Sequence, residues 1–388
     1  MKLLHILSSV DPRGGGPAEG VLHCGIRMTE LGHRIEVMSL DDPAERFVTE
    51  YPLKLHALGP ASRGYRYTPR LVPWLKIHAA EYDAVIVNGL WQYSSFGAWR
   101  VLRKRGVPYF VFTHGMLDPW FKTAYPFKHA KKWLYWPWAE YRVLRDAQAV
   151  LFTSEEERLR ARKSFWLYRA KEQVVAYGTK TPPGDVQGLR EIFLAAHPYL
   201  RNRRILLFLG RIHEKKGCDL LVDAFAKVAA LDPSLHLVIA GPDPTGLSSS
   251  LQAMAEEHGI ARRISWPGML RDDMKWGAFY AAEVFALPSH QENFGIAVAE
   301  AVGCGLPVLI SDKVNIWREI ESSNAGLVRS DTVQGTLELL ETWQSLSSPE
   351  RTAMSIAAKG LFQRCFTVDA MAHELETTVR AYSTAFQF

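Results

Sequence analysis

Apolar runs of strand length alternate with helix-length segments along this chain, and the alternation starts twice. Leu3–Val10, Arg34–Leu40, Ala84–Val87 and Tyr109–Thr113 are the runs of the first half, closed by Ala149–Thr153 and Gln173–Ala176. From Tyr177 to Gly188 the composition shifts to Gly, Pro, Thr and Lys and reads as a linker. The pattern then restarts with Arg204–Leu209, Leu235–Ala240, Ile264–Trp266, Val284–Leu287 and Val308–Ile310. Runs of this kind, spaced by helices, build parallel sheets that are covered on both faces. At 388 residues the chain is too long for one ordinary core. The expectation is an α/β protein of two Rossmann-like doubly wound domains facing a central cleft, at residues 1–180 and 181–366. Ligands of such folds bind at the carboxyl ends of the strands.

Composition narrows the class. Hydrophobic residues at 47% and charged residues at 22% fit a soluble globular protein. Cys24, Cys218, Cys304 and Cys365 are scattered, with no Cys-x-x-Cys and no histidine at ligand spacing. That favours reduced thiols in the cytoplasm over a disulfide framework or structural zinc. The first ten residues have too short an apolar core for a signal peptide, and no run approaches the ~20 residues of a membrane span. A net charge of +5 suits attraction to anionic lipid or nucleotide but is too small to imply nucleic acid.

Five places carry candidate chemistry. His290 to Glu300 joins the run Val284–Leu287 to a helix expected to end near Val302, stopped by Gly303 and Gly305. A strand, a polar loop and a helix N-terminus present backbone N–H groups to an anion. Glu292 lies in that loop and Glu300 on the helix; the bland alternative for Glu300 is a surface carboxylate in an i,i+4 pair. Arg211 lies at the end of the strand expected at Ile205–Gly210, and Lys216 stands at the entrance to a helix at Cys218–Ala229, together a phosphate clamp. The alternative is a solvated basic loop, in which Lys215 is the cation expected to face solvent. Gly14-Gly15-Gly16-Pro17 opens a helix after the first run and lets backbone approach a phosphate, or is a flexible turn. Its spacing is not Gly-x-Gly-x-x-Gly, which argues against a nicotinamide cofactor. His114 ends the run Tyr109–Thr113, where it can donate a hydrogen bond to a sugar or phosphate. Asn88 and Trp91 occupy the matching loop after Ala84–Val87, an aromatic face there suiting a sugar ring on the acceptor side.

Glu-x7-Glu in the form Glu292-Asn-Phe-Gly-Ile, with Gly210-Arg211 and Lys216-Gly217 upstream, resembles the retaining glycosyltransferases of family 4, which have the GT-B fold. The resemblance runs from the Gly-rich loop to a helical C-terminus. It implies that Arg211 and Lys216 hold the donor diphosphate, that Glu292 meets the sugar hydroxyls and Glu300 the ribose, and that His114 meets the donor sugar. It also implies that Gly15 and Gly16 face the diphosphate, that the backbone of Asn293, Phe294, Gly295 and Ile296 holds sugar and phosphate oxygens, and that Met269 and Leu270 meet the base. Residues 367–388 are expected to pack back on the first domain. Where family members often carry a histidine, this chain has Asn88-Gly-Leu-Trp91, a departure on the acceptor side.

The expected activity is transfer of a hexose, first guess glucose from UDP-glucose, to a glycan or lipid-linked acceptor with retained configuration. GDP-mannose is the second donor, a UDP-sugar 2-epimerase on the same fold the first rival, and a non-catalytic nucleotide-binding module the second. No Asp-x-Asp occurs, so neither a metal nor a cofactor is expected. Between Trp120 and Arg145, nine aromatics alternate with Lys122, Lys128, Lys131, Lys132, Arg142 and Arg145. That segment either lies at a membrane surface, which would put the protein at the inner membrane face, or is a core-facing helix with a basic edge. RNA stacking is a third reading, without an RNA-binding motif to accompany it.

Overall fold

The apolar runs become strands, and two further strands appear that the runs do not announce. A computed structural model describes residues 1–384. The chain divides into two units, Met1–Gly178 together with the segment from Val368 onward, and Thr179–Thr367.

In the first unit, β1 (Lys2–Ile6), β2 (Arg34–Ser39), β3 (Lys54–Ala57), β4 (Ala84–Asn88), β5 (Tyr109–Phe112), β6 (Ala149–Phe152) and β7 (Glu172–Val174) form one sheet. Its order is β3-β2-β1-β4-β5-β6-β7, and every neighbour pairs in parallel. The central strands are buried from end to end, as a sheet covered on both faces requires. The edge strand β3 reads Lys-Leu-His-Ala and is at most half-buried, so it carries no apolar run. β1 stops at Ile6 rather than Val10. There Asp41 accepts from the Val10 N–H at 2.8 Å, and Arg66 donates to Asp41 at 2.7 Å and to the Ser8 carbonyl at 2.9 Å. The helix Val368–Thr384 lies on the helix Gly16–Glu30, burying Met371, Ala372, Leu375 and Val379.

In the second unit, β8 (Arg204–Leu209), β9 (Leu235–Ala240), β10 (Ile264–Gly268), β11 (Val284–Leu287), β12 (Val308–Ser311) and β13 (Gly326–Arg329) form a second parallel sheet. Its order is β10-β9-β8-β11-β12-β13. β13 is short and begins on Gly326, whose missing side chain matters: a Cβ there would lie 2.0 Å from the Val308 carbonyl oxygen.

Each sheet reverses its winding once. β1 sits between β2 and β4, and β8 sits between β9 and β11. At such a point the loops leaving neighbouring strands part, opening a crevice for ligand. The loops concerned are those carrying Gly15, Gly16 and Asn88 in the first unit, and Arg211, Lys216 and Glu292 in the second.

Candidate active site

In the second unit, two loops meet at the reversal point. After β8 the chain makes a single turn at Glu214–Lys216 and enters the helix Cys218–Ala229 through Gly217. Gly217 has φ 65°, and a Cβ there would stand 2.2 Å from the Pro288 carbonyl oxygen, so only glycine lets this turn press against the end of β11. His290 N–H donates to the Lys215 carbonyl at 2.9 Å, tying the two loops together. Lys215 is partly buried rather than facing solvent.

The loop after β11 is sewn to the loop after β12. Glu292 N–H donates to the Lys313 carbonyl at 3.0 Å, and Asn315 N–H donates to the Glu292 carbonyl at 3.0 Å. With both backbone groups committed, Glu292 has only its carboxylate to offer, and that carboxylate forms an ion pair with Lys216. Burial, with the charges of Lys215 and Arg211 nearby, pulls the Lys216 ammonium down to about 7. Arg211 itself is exposed. A cation that is costly to keep charged in its pocket gains most from an added anion.

Past Glu292, Asn293 accepts from Asn315 Nδ2 at 3.4 Å, and Phe294 is buried against Phe366. Gly295, at φ 77°, starts the helix Ile296–Gly303 without any side-chain cap. Val298 N–H closes the first turn on the Gly295 carbonyl at 2.8 Å, and the N–H groups ahead of it have no helical acceptor. Glu300 projects from this helix, is buried, and pairs with Lys275 Nζ at 2.7 Å. Lys275 was not singled out in the sequence. It lies on the helix Asp272–Ala281, next to the buried Trp276. Met269, more than half exposed, and Leu270 follow β10, whose last residue Gly268 accepts from the Gly241 N–H at 2.8 Å.

In the first unit, Gly15 has φ 85° and ψ −152°, a conformation for glycine alone, and Gly16 begins the helix, its carbonyl accepting from Tyr177 Oη at 2.9 Å. Asn88, the acceptor-side candidate, lies inside the unit. It is buried, and its Nδ2 faces the carbonyls of Ile86 at 3.2 Å and Ile6 at 3.5 Å, and His5 Nδ1 at 3.4 Å. That arrangement turns Asn88 Oδ1 toward His114 Nε2 at 3.1 Å. Because Oδ1 only accepts, His114 carries its proton on Nε2 and presents Nδ1 as an acceptor. Burial, with His5 close by, holds His114 near 3, so it is neutral. With Nε2 engaged by Asn88, the ring nitrogen left to a ligand is Nδ1, an acceptor in this tautomer. His5, a buried histidine of β1, is the inner end of this chain of contacts.

Trp91 is partly buried and packed within the same unit. Its ring packs on Phe165 and Trp136 with centroids 5.2 and 6.0 Å away, and Lys132 Nζ sits 4.6 Å over it. Its Nε1–H donates to the Met116 carbonyl at 3.2 Å. The ring is engaged inside this unit rather than held out as a platform for sugar. The backbone N–H of Trp91 donates to Glu140 at 2.8 Å; Glu140 is a fully buried carboxylate to which no motif in the sequence points.

Among the described residues, no three His, Cys, Asp or Glu side chains gather as a metal site, and no helix is long and apolar enough to cross a membrane.

Two doubly wound parallel-sheet domains with anion-type loops at their reversal points define the GT-B class of glycosyltransferase folds. The family model for glycosyl transferases group 1 matches residues 190–360, and that for the glycosyl transferase 4-like domain matches residues 15–178. The chain belongs to the group 1 glycosyltransferases. A D-inositol 3-phosphate glycosyltransferase of Gordonia bronchialis is 28% identical over 265 residues, covering 64% of this chain and 55% of that protein. One from Mycolicibacterium gilvum is 42% identical over 110 residues, or 27% of this chain and 24% of the relative. The chain thus spans about half the length, or less, of the curated relatives it matches. Among solved structures, sucrose-phosphate synthase from Thermosynechococcus elongatus superposes with a TM-score of 0.78 at 19% identity, covering 99% of this chain and 100% of the other. Anabaena HepE, solved with UDP and glucose, superposes at 0.76 and 19% identity, covering 98% and 100%.

Proposed function

We propose that this protein transfers a hexose from a nucleoside diphosphate sugar to a glycan or lipid-linked hydroxyl, with retained configuration and without a metal ion. The observation that carries the reading is the Lys216–Glu292 ion pair at the reversal point of the second sheet. A cation suited to a phosphate touches a carboxylate suited to sugar hydroxyls. Such a pair fits the junction of a sugar–diphosphate, where the bond to be broken lies. In the reaction, the bond between the anomeric carbon and the β-phosphate oxygen breaks. The acceptor oxygen bonds to that carbon, and its proton passes to the departing diphosphate. Arg211 and Lys216 neutralise the charge growing on the leaving oxygen. Glu292 takes sugar hydroxyls, and Glu300, held by Lys275, takes the ribose. Met269 and Leu270 are assigned to the base, and the backbone of Asn293, Phe294, Gly295 and Ile296 to sugar and phosphate oxygens. In the first unit, Gly15 and Gly16 are assigned to the diphosphate, and His114 Nδ1 accepts from a sugar hydroxyl.

UDP-glucose is the proposed donor, a reading supported by the fold neighbour solved with UDP-glucose; GDP-mannose is the alternative. A thermal-shift panel of nucleotide sugars tests the donor, since binding raises the melting temperature by mass action. UDP-glucose is expected to give the largest shift, and a larger shift with GDP-mannose would replace it. With the donor so chosen, Lys216→Ala and Arg211→Ala should each slow turnover by roughly a hundredfold, since one lost contact to a leaving oxyanion costs about 2.7–4 kcal/mol. Near-parental rates would sink the clamp. Activity should survive excess EDTA; restoration by magnesium after its loss would reveal a metal. Release of an epimer from donor alone would favour the epimerase.

A further inference from the structure

The helix Pro126–Tyr135 buries none of its ten residues. Its two faces differ in kind. His129 stacks on Phe165 at 4.8 Å, Lys132 reaches over the Trp91 ring, and Tyr135 meets Tyr65, so these residues and the buried Trp136 hold the helix to the first unit. Phe127, Lys131 and Leu134, at spacings of four and three, lie along the opposite face. Phe127 is 86% exposed and Leu134 78%, and Lys128 and Lys131 are exposed beside them. Two further exposed rings lie close to the helix. Trp138 is 68% exposed, and Trp166, 53% exposed, stacks on Trp133 at 6.0 Å while its carbonyl accepts from Trp136 Nε1 at 2.9 Å. Single exposed apolar residues are ordinary on a protein surface, whereas a contiguous group of large ones marks an interaction site.

Charge selects the partner. From Pro119 to Ala139 there are four lysines and no Asp or Glu. Exposed tryptophan and phenylalanine rimmed by lysines, on a helix anchored by its other face, match the interfacial zone of a bilayer. There, aromatic rings sit at headgroup depth and ammonium groups meet anionic lipid. We propose that Phe127, Leu134, Trp138 and Trp166, with Lys128 and Lys131, form a docking surface for a membrane leaflet bearing anionic phospholipid. The inference stands apart from the choice of donor and does not depend on transfer activity.

Vesicle co-sedimentation of the full chain tests it, with phosphatidylcholine alone and with phosphatidylcholine containing phosphatidylglycerol. Binding is expected to the second vesicle, to be weak on the first, and to fall with added salt. Each lysine near such a surface contributes about fivefold to partitioning, so Lys128→Gln with Lys131→Gln should lower it roughly 25-fold. Phe127→Ser with Leu134→Ser should lower it by at least about tenfold. All four side chains are exposed, so melting temperatures should match the parent, which separates lost docking from lost folding. Equal partition onto both vesicles would overturn the proposal, as would undiminished binding by either pair of variants. So would a solution dimer that Leu134→Ser dissolves while the parent ignores vesicles.

Discussion

Glu292 and Glu300 are eight residues apart on one motif, yet their surroundings separate their roles. Glu292 faces Lys216 across two loops, whereas Glu300 is buried against Lys275 on another helix. Hydrogen bonds to charged groups are worth about 1.5–3 kcal/mol. Glu292→Gln should therefore weaken UDP-glucose binding by roughly ten- to a hundredfold. It should leave UDP unchanged or slightly tighter, because Lys216 is released from its partner. Glu300→Gln should weaken UDP and UDP-glucose alike. Calorimetric titration of both ligands into both variants decides: equal weakening of UDP and UDP-glucose by Glu292→Gln, or unaltered UDP binding by Glu300→Gln, refutes the division. The carboxylates and the two cations were legible in the sequence because they follow strands at chemically meaningful positions. Lys275 and His5 were not, since their meaning comes from partners 25 and 83 residues away.

At the scale of elements, turns and helix ends position these groups. The turn at Gly217 permits the close approach of β8 and β11 loops. Gly217→Ala adds a left-handed strain of about 1–2 kcal/mol and a collision with the Pro288 carbonyl. In a unit of this size each kcal/mol moves the melting temperature by about 2–4 °C, so the variant should melt several degrees lower and bind donor more weakly. An unchanged melting temperature would show that the loops are not held together here. The N-terminal end of the helix Tyr93–Arg105 depends on Glu140, which accepts from the Trp91 N–H and from Ser95 Oγ at 2.8 Å each. Burial pushes its carboxyl up to about 7, outweighing those two donors and the Lys132 charge. A carboxyl raised above its unfolded value stabilises fully below that value, and the contribution is lost as pH rises through 7. Glu140→Gln has no such titration. Its stability relative to the parent should therefore increase by about 2–3 kcal/mol between pH 5 and 8, as measured by urea denaturation. A pH-independent difference would contradict the buried-carboxyl assignment.

For the whole molecule, the chain leaves the first unit at Gly178 and re-enters it at Val368. The returning helix is attached by apolar contact and by polar ties: Arg27 Nε meets Asp369 at 2.5 Å, and His33 Nε2 meets Glu376 at 3.3 Å. Leu375 is fully buried there. Leu375→Ala should cost about 2–5 kcal/mol of stability. An unaltered denaturation midpoint would mean that the helix adds nothing to the unit. The two-fold repeat of apolar runs determined the α/β class and most strands, because a strand buried on both faces must be apolar wherever it pairs. β3 and β13 escaped, because β3 reads Lys-Leu-His-Ala and is at most half-buried, and β13 is four residues that begin on glycine and end on arginine. The same limit governed the site. Residue type and position after a strand picked out the candidate side chains. The Lys216–Glu292 pair, the acceptor face of His114 and the inward turn of Trp91 depend on contacts between distant segments. Pattern along a chain records the burial of each residue, whereas partners are chosen only when the sheet brings separate loops together.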